Sequence, residues 1–136
     1  RAASLRSVGY AIINRRLARL ARGADAPFRG ASFGSGDLFE DARITSISVS
    51  SADGEWKKGV LAAVREVNQA LTYGFTQAEV DEQLANIRTA LENGVKSANT
   101  RSHAVFVGGA LGLASDERIP TTPEWQLAEF ERLAPE

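Results

Sequence analysis

The residues with the strongest claim to chemistry lie in a glycine-rich stretch and at one histidine. Gly30-Ala31-Ser32-Phe33-Gly34 spells G-x-S-x-G. On a strand that runs straight into a helix, that pattern holds a nucleophilic serine on a sharp turn. His103, the sole histidine, follows in the chain order of a Ser–Asp–His hydrolase. The context is wrong, however. Ser35-Gly36-Asp37-Leu38 is a poor helix start, and 136 residues are too few for the large sheet of such hydrolases. The same glycines make no phosphate cradle, since neither G-x-x-x-x-G-K-[ST] nor G-x-G-x-x-G leads into a helix. Ser32 reads as a small residue in a glycine-rich strand.

Metal chemistry has few donors. There is no cysteine, and zinc bound through His103 would need carboxylates for its remaining ligands. Ala104-Val105-Phe106-Val107, which follow it, contain no acid. His103 therefore reads as a structural residue near a helix start, and no catalytic or metal-binding residue is assigned. Arg15, Arg19 and Arg22 share one helix face and are the only hint of a nucleic-acid-binding helical module. They lack interleaved aromatics for base stacking, and the net charge is −1. A solvated or ion-pairing face is the better reading. No apolar run approaches the ~20 residues of a membrane helix. The chain opens on Arg1 and holds no Met, so it reads as a piece of a longer product.

Periodicity supplies the elements that would position these residues. Leu5, Val8, Ile12, Ile13, Leu17 and Leu20 recur at helical spacing over 3–22, with Gly23 as the stop. Residues 28–39 read as an irregular or bulged strand, and Glu40-Asp41 as a polar turn. Residues 42–51 alternate: Thr45, Ile47 and Val49 on one face, Ser46, Ser48 and Ser50 on the other. The next helix follows Asp53-Gly54-Glu55, with Ser51 or Asp53 as its N-cap and Trp56, Val60, Val64, Val67 and Leu71 as its stripe. Gly74 ends it.

Thr76 and Glu79 then form a capping box, and Phe75 and Val80 a hydrophobic staple, so two long helices meet at a tight corner. The second carries Val80, Leu84, Ile87, Leu91 and Val95, with Gly94 weakening its end. A glycine-rich helix over 103–114 follows, and a last helix starting at Thr122-Pro123 forms the helical tail from about 116.

The expectation is one partial α+β domain over 1–136, a small antiparallel or mixed sheet covered on one face by helices. Two strands are too few for a stable sheet, so one or more strands are expected from before residue 1 or from another chain. Self-association through the incomplete sheet is a second expectation.

Ile13-Asn14-Arg15-Arg16-Leu17-Ala18-Arg19-Leu20-Ala21-Arg22, followed by Ala26-Pro27-Phe28, resembles the insulinase/pitrilysin family of zinc metallopeptidases. There a helix ending in an L-x-x-L-[AR]-R-like segment leads into a hairpin. The strand over 42–51 and the corner Gly74-Phe75-Thr76-Gln77-Ala78-Glu79-Val80-Asp81 are similar too, and the likeness runs from about residue 5 to 133. The resemblance implies a LuxS/processing-peptidase-like fold and a parent metalloendopeptidase of two halves closing around a chamber. The family's zinc sits on an inverted H-x-x-E-H motif plus a distant glutamate, and His103 starts no such motif. The resemblance thus implies a second, non-catalytic domain, with zinc in the parent and none in this piece. Phe28 stands where the family's later half has a substrate-binding tyrosine, which favours the catalytic half.

The implied partners are the remaining domains of the parent and its peptide substrate. Ser46, Ser48 and Ser50 become the candidates for the chamber-facing side. An inactive homologue acting as a non-catalytic partner subunit is the alternative. Bacterial members are often exported, so the resemblance allows a periplasmic parent.

Overall fold

The computed structural model describes residues 2–38, 42–116 and 119–134, which form two compact units divided after Gln83. The expected Glu40-Asp41 turn, and Phe39 before it, lie outside the described residues.

In the first unit, helix α1 (Ala2–Ala21) leads to strand β1 (Gly30–Leu38), strand β2 (Ala42–Ser50) and helix α2 (Trp56–Tyr73). Helix α3 (Gln77–Lys96) begins at its end. The strands pair antiparallel, from Gly30 opposite Ser50 to Leu38 opposite Ala42. From Gly30 onward the pairing advances one residue against one, while Arg29, just before it, donates its N–H to Ser50 O at 2.7 Å, so the irregularity expected over 28–39 is confined to its start. Gly30, Gly34 and Gly36 all fall on the face away from the helices, where a Cβ would meet nothing, so glycine there distorts no packing.

Helix α1 lies over β1 and α2 over β2. Ile13, Leu17, Phe28, Ala63, Val67 and Ala70 form the core, with Ala31, Phe33, Ile47 and Val49 packed on it from the sheet. Each buried branched or aromatic side chain contributes about 1.5–3 kcal/mol. On α2 the buried stripe is Gly59, Ala63, Val67 and Ala70. Of the expected stripe only Val67 is buried, whereas Trp56, Val60, Val64 and Leu71 are exposed. Small residues let α2 approach closely: a methyl on Gly59 would overlap the Ser51 hydroxyl and crowd Val49 and the Pro27 carbonyl. The N-cap also differs from expectation. Gly54 adopts φ +80°, the helix starts at Trp56, and Glu55 caps it without a side-chain hydrogen bond. Ser51 Oγ is buried without a partner instead.

The corner follows the sequence. Gly74, at φ +73°, donates to Ala70 O and ends α2. Thr76 N donates to Glu79 Oε2 at 2.9 Å, and Glu79 N to Thr76 Oγ1 at 3.4 Å. Phe75 turns its ring toward Gly9 of α1.

The second unit holds the rest of α3, a 3-10 turn (Ala98–Thr100), α4 (His103–Asp116) and α5 (Pro123–Leu133). Thr122 caps α5 through Trp125 N, with Pro123 at its first position. Arg88 forms a bidentate pair with Glu131 and lies over the Phe130 ring. No helix among the described residues is long and apolar enough to cross a membrane.

Candidate functional site

The open face of the hairpin is the surface most suited to contact something other than this chain. Gly30, Ser32, Gly34 and Gly36 of β1 alternate onto it, opposite Ser50, Ser48, Ser46 and Ile44 of β2. Ser32, Ser46, Ser48 and Ser50 are all exposed, while Ile47 and Val49 between them are half-buried under the helices. The face therefore presents short hydroxyls and bare backbone. It can hydrogen-bond a polypeptide or water at short range, but it holds no charge and no base to activate a serine.

Two side chains of α1 set the position of this face. Asn14 Nδ2 donates to Phe33 O at 2.8 Å, and Phe33 N donates to Asn14 Oδ1 at 2.8 Å. One amide thus does the work of a neighbouring strand at the outer edge of β1. Below it, Tyr10 Oη and Ser35 Oγ share a hydrogen bond of 3.1 Å, and the Tyr10 ring meets Phe33 edge-on at 5.2 Å. Reading the sequence missed both residues. An asparagine inside a helix was the available signal, because the amide competes with the helix backbone unless it has another partner.

The densest charge cluster is also structural. Arg16 Nε reaches Glu79 Oε1 at 2.6 Å, its NH2 group reaches Glu79 Oε2 at 2.7 Å, and NH1 stands 3.7 Å from Glu66. The guanidinium lies over the Phe75 ring. Its hydrogen bonds, followed by that from Thr76 N–H, hold the Glu79 carboxyl at about 2 against an ordinary 4.5. A carboxylate held this strongly ionised is a poor proton donor or acceptor near neutral pH. Of the arginines singled out in the sequence, Arg15, Arg19 and Arg22 are exposed, and Arg15 pairs with Glu82.

Ser32 and His103 belong to different units, and His103 is exposed at the start of α4. Among the described residues no three His, Asp or Glu side chains gather as a metal site.

A protease shares this fold. The chain superimposes on the first half of the periplasmic protease PqqL from Escherichia coli with a TM-score of 0.84, at 20% identity over 93% of its length. Against PqqL from Escherichia coli in a second crystal structure the TM-score is 0.82, at 18% identity over 91%. The chain spans only 27% and 14% of those two chains. The sequence matches no family model and no curated protein.

Proposed function

We propose that this chain is a structural, chamber-lining domain of an insulinase/pitrilysin-type zinc metalloendopeptidase that cleaves peptides or proteins. The supporting observation is the fold shared with PqqL over 93% of the chain, which agrees with the sequence resemblance around α1 and the α2–α3 corner. The described residues do not fit a zinc ion, since among them no three His, Asp or Glu side chains gather to hold one. Zinc, and the activation of the attacking water, belong to other domains of the parent. This domain supplies a wall, with the helices outside and the serine-lined face toward the substrate space. By analogy with PqqL the parent is periplasmic.

Chelation of the intact parent tests the reading. Removing zinc is expected to abolish peptide cleavage and adding it back to restore it, while this chain alone takes up no stoichiometric zinc. Cleavage that persists in the chelated parent, or tight zinc on the isolated chain, contradicts it. An inactive partner subunit has the same domain without an H-x-x-E-H motif elsewhere in its gene, so the flanking sequence separates the two.

A further inference from the structure

We draw no further inference here: the strongest candidate, the groove on the outer side of α2 lined by Leu61, Val64, Asn68 and Tyr73, is an apolar face with nothing in the structure to show what covers it.

Discussion

Glu79 carries the most consequence for pH. Its carboxyl titrates near 2 in the folded chain because Arg16 and Thr76 bond the ionised form. Its contribution is therefore complete above the unfolded value, near 4.5, and is lost as pH falls from there toward 2. Thermal melts are expected to show the midpoint dropping through that window, and Glu79→Gln is expected to flatten the drop while costing about 1–2 kcal/mol at pH 7. An unchanged acid slope in the variant means other carboxylates set it. Asn14 is the second decisive residue. Asn14→Ala forfeits two hydrogen bonds and leaves Phe33 unpaired at the strand edge, for a loss of about 2 kcal/mol. Asn14→Asp keeps the acceptor for Phe33 N–H but sets a carboxylate against Phe33 O. Chemical denaturation is expected to rank it at or below the alanine variant. The helical period placed Asn14 in α1, yet nothing local said that its partner lay 19 residues on.

Between elements, the close approach of α2 to β2 depends on Gly59. Adding a methyl there gains helix propensity of about 1 kcal/mol but crowds Val49, Pro27 O and the Ser51 hydroxyl. Gly59→Ala is expected to lose about 1–2 kcal/mol net in denaturant titration. Ser51→Ala, which removes a buried hydroxyl without a partner, is expected to recover part of that in the double variant. A stabilised Gly59→Ala chain contradicts the packing. The apolar period of α2 was legible, but which part of it is buried was not. The large residues Val60, Val64 and Leu71 looked like the core stripe, and the small residues beside them took that place because only they allow the contact distance. The α2–α3 corner, by contrast, was readable outright, since Gly74, Thr76 and Glu79 interact within six residues of chain.

For the whole molecule, the chamber-lining role makes one demand: the serine face needs to stay open in the parent. Ser48→Trp in the intact parent is expected to lower kcat/KM for large peptide substrates severalfold, with zinc content and thermal midpoint unchanged. Equal kcat/KM for wild type and variant means the face does not line the chamber.

The sequence by itself determined what local forces decide: the helix periods, the alternation of 42–50, the capping box and the α5 cap. Those follow from neighbours within about one turn or one strand, where backbone geometry alone specifies contacts. Only the tertiary structure decided that β1 runs regular, that Asn14 closes its edge, that Arg16 and Arg15 rather than Arg19 or Arg22 pair with acids of α3, and that small residues seat α2. Each of these joins residues far apart in the chain, and their pairing depends on how closely whole elements approach. So Ser32 keeps its G-x-S-x-G neighbours but stands mid-strand, opposite Ser48, rather than on a turn from strand to helix.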